Sequence, residues 1–359
     1  MRVLIAPDKF KGSLTAPAAA AAMRLGVLDV VPDADVVTMP VADGGEGTVD
    51  AFVAAGATPH EVVVAGPLGD PVTARFAVLD GTAVVEAAQA CGLALVGQPS
   101  ARTALAADTI GVAQLVQAAA AAPGVTRLVL GIGGSASTDG GSGLARGLGA
   151  RLLDSAGAEL PPGGGSLSEL ARLDASGLTR PSVDVQLACD VTAGLLDAAY
   201  VFAAQKGAGP NEIERLASGL RRWAEVAGLP DVPGSGAAGG LGAGAIAFLG
   251  ATVVSGADVV LDRLGFATAV RGADLVLTGE GSFDEQSLTG KAPIGVARAA
   301  TGAGVRTWLI AGRATVRPPE LAGVLALTDL ATPEQAMRGA AALVRRRTAD
   351  AVRAATLPG

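Results

Sequence analysis

Five acids in this sequence stand where short apolar runs give way to turns. Asp8 follows RVLIAP, Asp43 follows TMPVA, Glu280 follows LVLTG, Asp190 follows VQLAC, and Asp139 sits in the loop 131-GIGGSASTDGGSGLARGLGA-150. A carboxylate in such a place either caps the next helix or does chemistry, by holding Mg2+, orienting a hydroxyl or removing a proton. The loop around Asp139 is nearly bare of side chains: Gly133, Gly134, Ser135, Ala136 and Ser137 come before a helix expected near 143–153. Gly44 and Gly45, between Asp43 and Glu46, precede another helix expected to begin around Glu46. Glycines at a helix start let an anion reach main-chain N–H groups, and the helix dipole favours it there. Of 27 basic residues only four are lysine, namely Lys9, Lys11, Lys206 and Lys291, and each lies beside a turn glycine. A lysine is a flexible point charge suited to phosphate, whereas arginine grips as a planar fork.

Other chemistries lack their parts. The bare loop has no lysine in the Walker position, and no GxSxG elbow occurs. A GxGxxG spacing occurs at 234-GSGAAG-239, but no strand is expected before it, so it supports a dinucleotide site only weakly. The single histidine, His60, reads as an ordinary surface residue, which leaves no His-dependent triad or His-rich metal site. Cys91 and Cys189 make no disulfide framework, which suits a reducing, cytoplasmic setting. A net charge of −7 without a basic stripe argues against nucleic acid. No apolar run reaches the ~18–20 residues of a membrane span. Phosphoryl transfer fits what remains, because it asks for N–H donors, a few lysines, acids to carry Mg2+ and one base.

The elements needed to position these residues read as α/β. A strand at 2–7, a helix near 15–31 begun by Thr15 and Pro17, and a strand at 35–41 form a parallel βαβ unit. Strands at 61–66, 72–80 and 82–87, joined by short turns, suggest antiparallel pairing. A helix near 105–121 leads to a strand at 126–132; further on come a loop at 160–167, a strand at 183–190 and a helix at 211–228 capped by Asn211. Parallel character returns with strands at 273–279, 305–312 and 323–329. The expectation is a discontinuous Rossmann-like parallel-sheet lobe, 1–58 and 268–359, with an inserted mixed α/β domain at 59–267.

Taken together, the motifs resemble the type 1 glycerate kinase family of bacteria. The segments that carry the resemblance are 6-APDKFKGSLTA-16, 40-PVADGGEGTVDA-51, 131-GIGGSASTDGGSGLARGLGARLLD-154, 161-PPGGGSL-167, 188-ACDV-191, 205-QKGA-208, 235-SGAAGGLGAGAIAFLGA-251, 274-DLVLTGEGSFDEQSLTGKAPIGVA-297 and 310-IAG-312. They stand in the family's order over nearly the whole chain. The resemblance implies two α/β domains with the active site in the cleft between them, and ATP-dependent, Mg2+-assisted phosphorylation of glycerate to 2-phosphoglycerate.

On that reading Asp190 is the base or orienting carboxylate, acting with Lys11 and Asp43. Ser13, Gly44, Gly45 and Glu46 lie near phosphate or metal. Gly133, Gly134, Ser135 and Ser137 cradle an anion with Asp139 beside them, and Lys206 binds phosphate. Gly279, Glu280, Asp284 and Lys291 close the site, and Asp190 and Glu280 hold Mg2+. The chain departs from the family's usual residues at Thr138, Ser282, Thr289 and Ala203–Ala204, and in 108-DTIGVAQ-114. Ser282 stands where an arginine is usual. A kinase for another small hydroxy acid, or a ligand-binding relative without turnover, are the alternatives. The expected partners are small molecules, glycerate and ATP, and a homodimer stays open.

Overall fold

A computed structural model describes residues 1–356 apart from Thr289, so the departure noted at that position lies outside the described residues. The strands, in chain order, are β1 (Arg2–Ile5), β2 (Asp35–Thr38), β3 (Thr58–Ala65), β4 (Pro71–Leu79), β5 (Thr82–Glu86), β6 (Arg127–Gly131), β7 (Arg151–Leu153), β8 (Arg172–Asp174), β9 (Asp184–Ala188), β10 (Thr252–Val254), β11 (Leu275–Phe283), β12 (Thr307–Ala314) and β13 (Gly323–Ala326). The chain divides into two compact units. One is 1–43, 50–56 and 255–359; the other is 44–49 and 57–254.

The first unit carries a five-stranded sheet in the order β13-β12-β11-β1-β2, and every neighbouring pair is parallel. Its central strands are apolar on both faces, as a sheet covered on two sides requires. Val3, Ile5, Leu275, Leu277 and Ile310 are buried with Phe10 and Met23. Thr15 caps the helix Ala16–Leu28, accepting from the Ala18 N–H at 3.3 Å. That helix lies so close to the helix Ala340–Thr356 that a Cβ on Gly26 would stand 2.3 Å from the Arg345 carbonyl. Residues 255–267 belong to this unit because the helix Gly256–Arg263, capped by Ser255, packs on Ala292–Gly302, with Ala257 against Gly295.

The second unit holds a six-stranded sheet in the order β10-β9-β6-β5-β4-β3. Strands β5, β6, β9 and β10 run parallel, while β3 and β4 pair antiparallel, as the short turns in their sequence require. Residues 44–49 belong here: a Cβ on Gly131 would stand 1.8 Å from the Gly44 carbonyl, and the Glu86 carboxylate takes the Val49 N–H at 2.7 Å. The core is aliphatic, with Val85, Leu128, Leu130, Leu144 and Leu187 joined by the buried Trp223. His60 is half-buried and stacks on its cross-strand partner Phe76, with ring centroids 4.9 Å apart.

Several boundaries differ from expectation for local reasons. The helix after the bare loop is only Ser142–Gly147, because the left-handed Gly149 turns the chain and residues 151–153 pair with β8. The helix Pro210–Ala227 is capped at Gly209, not Asn211. Pro210 occupies the first turn, and Glu212 accepts the Gly209 N–H at 3.0 Å. The expected helix at 105–121 is two helices, Ala101–Ala106 and Ile110–Ala120. No helix among the described residues is long and apolar enough to cross a membrane.

Candidate active site

The first unit gathers acids and lysines at the carboxyl ends of its parallel strands, where open α/β sheets bind ligands. Beyond β1 the chain keeps following β11, since the Asp8 N–H donates to the Gly279 carbonyl at 2.8 Å. On the other side the Val41 N–H donates to the Pro7 carbonyl at 2.9 Å, which carries Asp43 along the same edge. Glu280 lies within β11, which continues to Phe283 instead of ending at the acid. Asp8, Asp43 and Glu280 therefore feel one another's charge. Burial first, then Asp43 and Glu280, push the Asp8 carboxyl up to about 7, while Lys9 pulls the other way. Burial raises Glu280 as well, opposed mainly by the Lys291 ammonium.

Lys291 comes from the residue before the helix Ala292–Gly302. Its Nζ reaches the Ser287 hydroxyl at 3.0 Å, and Glu280 Oε2 and the Ser282 carbonyl at 3.4 Å each. Among the described residues Glu280 Oε1 is buried with no hydrogen-bond partner. Leaving such an oxygen unmet costs free energy, and a cation bound there would meet it. Glycine is obligatory along this edge. A Cβ on Gly281 would stand 2.9 Å from the Lys11 nitrogen, and one on Gly279 2.6 Å from the Ile310 carbonyl. Lys11 is exposed; Ser13 is half-buried and donates to the Phe10 carbonyl at 3.0 Å. Asp284 is bound to the Ser287 hydroxyl through its N–H, at 3.2 Å.

The second unit builds a different constellation at the carboxyl ends of β6 and β9. Gly131 pairs with Ala188, so the loop 132–137 and Asp190 leave the sheet side by side. Gly133 and Gly134 are exposed, and among the described residues their N–H groups meet no acceptor. Against a further part of the same loop lies Lys206, only 3% exposed. Its ammonium donates to the Ser135 hydroxyl at 3.2 Å and to the Ser137 carbonyl. Burial lowers its pKa to about 8, with Cys91 and Asp139 opposing. A buried cation bonded to the loop, together with its exposed glycine amides, makes that loop an anion-attracting surface. Glu46 is exposed and Gly45 half-buried in the neighbouring segment, and Gly44 is covered.

Asp139 is the clear correction. Its place in the glycine loop suggests a neighbour for a bound anion, yet it is wholly buried. Its carboxylate accepts the Thr109 N–H at 3.1 Å and hydroxyl at 2.8 Å, the Gly141 N–H at 3.1 Å and the Gly143 N–H at 3.0 Å. It ties the loop to the helix Ile110–Ala120, with its carboxylate turned into the protein. The GxGxxG spacing also has a packing cause. Ala238, Gly239 and Gly240 are successively left-handed, and a Cβ on Gly239 would strike the Ser137 carbonyl at 2.1 Å. Those glycines let two backbones touch. Cys91 is buried, which pushes its thiol up to about 12 and leaves it inert.

Sequence comparison decides the family. Residues 3–356 match the profile of the glycerate kinase family. The chain belongs to the glycerate kinase family. Among its relatives, glycerate kinase of Bacillus subtilis (strain 168) is 46% identical over 326 residues, covering 87% of this chain and 85% of that protein. Glycerate 2-kinase of Escherichia coli (strain K12) is 42% identical over 361 residues, covering 95% and 94%. The crystal structure of a Salmonella typhimurium LT2 protein, provisionally described as glycerate kinase 2, superposes with a TM-score of 0.84 at 38% identity. That match covers 99% of this chain and 98% of the other. A glycerate kinase family member is thus an α/β enzyme with one parallel and one mixed main sheet. Asp8, absent from the expected site set, belongs to the first unit's acid group; the signal was its place at a strand's end.

One consequence concerns Lys206. Its folded pKa lies below that of the unfolded chain, so its burial as a cation costs stability below pH 8, and this cost is relieved as pH rises towards 10.5. Lys206→Met should remove that rise in stability between pH 8 and 10, measured by thermal melts against the wild type. It should also weaken binding of inorganic phosphate or ADP by ~10-fold or more by calorimetry, as loss of a charge-assisted support does.

Proposed function

We propose that this chain transfers the γ-phosphoryl group of ATP to the 2-hydroxyl of glycerate, with Mg2+, giving 2-phosphoglycerate and ADP. The observation that carries the proposal is the acid–lysine group of Asp8, Asp43, Glu280 and Lys291 at the carboxyl edge of a parallel sheet, in a chain of this family. The name of the E. coli relative supports the choice of hydroxyl. Oxygen donors suit Mg2+, which commonly takes one or two carboxylates and completes its shell with water and phosphate. Among the described residues no three of His, Cys, Asp and Glu are grouped so as to hold a metal ion by themselves.

Glu280, with its unmet Oε1, is the residue fitted to hold Mg2+, and Asp43 and Asp8 are the carboxylates beside it. Of the two ligands expected from sequence, Glu280 belongs to the first unit and Asp190 to the second. When bound, Mg2+ supplies charge neutralisation on the phosphate oxygens. Lys291 and Lys11 add positive charge for the transferring phosphoryl group. The Gly133–Gly134 amides, in the loop that Lys206 ties through Ser135 and Ser137, hold an anionic group of the substrates. Asp190 orients the acceptor hydroxyl and takes its proton as the new P–O bond forms and the bond to ADP breaks.

The test is ADP formation from ATP and Mg2+ with a panel of acids: D- and L-glycerate, lactate, glycolate and tartronate. ADP release strictly dependent on glycerate and abolished by a chelator supports the assignment. Faster turnover on another acid transfers it to that substrate, and nucleotide binding without ADP formation makes the protein a ligand-binding relative.

A further inference from the structure

The pairing of β11 with β12 sets Ser282 opposite Arg313. Arg313 is exposed near the carboxyl end of β12, and its Nη2 lies 3.4 Å from the Ser282 hydroxyl. The carbonyl of the same serine accepts from Lys291 at 3.4 Å. An ammonium and a guanidinium therefore converge on one small residue, at the edge where the acid group lies. The two cations are not equivalent. Lys291 is offset by Glu280 at 3.4 Å, whereas among the described residues no carboxylate comes within ion-pairing distance of Arg313. Several of this unit's other arginines meet a carboxylate: Arg2 with Asp35, Arg345 with Asp29, Arg353 with Asp350 and Arg298 with Glu320. Among the described residues Arg313 has only a neutral hydroxyl, which holds the guanidinium without neutralising it.

A guanidinium steadied in this way presents a fork that matches a carboxylate in two parallel N–H···O bonds, a geometry an ammonium cannot give. We propose that Arg313 is a specificity-determining residue, binding the carboxylate of the small hydroxy-acid substrate, with Ser282 setting the orientation of its fork. This rests on the kinase reading above and deepens it. The residue distinguishes a hydroxy acid from a neutral polyol, because a polyol would leave the guanidinium without its anion. The other anion available to it is a phosphate of ATP, and kinetics separate the two.

The experiment measures kcat and KM for glycerate and for ATP in the wild type, Arg313→Met and Arg313→Lys, with glycerol as the neutral comparison. Arg313 is exposed and makes one bond to a neutral group, so both variants should melt as the wild type does. Arg313→Met should raise KM for glycerate roughly 10- to 100-fold, the range of a charge-assisted pair, and leave KM for ATP within about 3-fold. Arg313→Lys should fall between, since it keeps charge but loses the fork. Added guanidinium ion should partly restore Arg313→Met at low glycerate. A rise in KM for ATP instead, or an unchanged KM for glycerate, overturns the assignment. Wild-type protein that forms no ADP with glycerate overturns the parent reading, and this inference with it.

Discussion

Asp8→Asn should cut kcat by ~100-fold or more while raising the melting temperature of the ligand-free protein at pH 8. The two effects share one cause. Asp8 is buried beside Asp43 and Glu280, and the folded protein holds its proton up to about pH 7, against 3.8 for an ordinary aspartate. Ionising it therefore costs the fold nothing below pH 4, an increasing amount between pH 4 and 7, and a constant amount above pH 7. The interval between 3.8 and about 7 sets a ceiling of ~4 kcal/mol at pH 8, before relaxation reduces it. Asparagine removes that charge but also removes a donor for a cation. Mg2+ should accordingly raise the melting temperature of the wild type by several degrees and that of Asp8→Asn by much less. A variant that melts lower than the wild type at pH 8, or that keeps full activity, removes Asp8 from this group.

The second large effect falls on Asp190. Asp190→Asn should lower kcat at least ~100-fold if the carboxylate takes the acceptor's proton, with KM for ATP nearly unchanged. The register of β6 with β9 sets Asp190 beside the loop 132–137. Asparagine keeps the shape and can still accept a hydrogen bond, so a purely orienting role would show a smaller loss. Asp190→Ala should then be worse than Asp190→Asn. An unchanged kcat in Asp190→Asn takes the residue out of the proton-transfer step.

Much of this site was legible because parallel strands deliver their ends to one edge, and a sequence reveals which residues follow each apolar run. That logic reached Asp8, Asp43, Glu280 and Asp190. It did not rank Asp8 among the site residues, since nothing local separates a capping aspartate from one crowded by acids distant in the chain. Asp139 misled for the opposite reason. An acid in a glycine loop looks the same whether its carboxylate points out to a ligand or, as here, inward to three N–H groups and a hydroxyl. The glycines of that loop likewise serve two ends. Gly131, Gly140 and Gly141 are required by close backbone or Trp223 packing, while Gly133 and Gly134 face outward. Arg313 could not be singled out by spacing, because only the pairing of β11 with β12 sets it opposite Ser282. The scarcity of lysine was the better signal: Lys9 pairs with Asp8, Lys291 with Glu280, and Lys206 bonds to the bare loop.

Phosphoryl transfer from ATP to the secondary hydroxyl of glycerate is read directly by proton-coupled phosphorus NMR of a reaction with Mg2+ and D-glycerate. A new monoester signal, split into a doublet by the single proton on C2, should grow in step with ADP. A triplet, from phosphate on the C3 methylene, or no organic phosphate at all, would contradict that transfer.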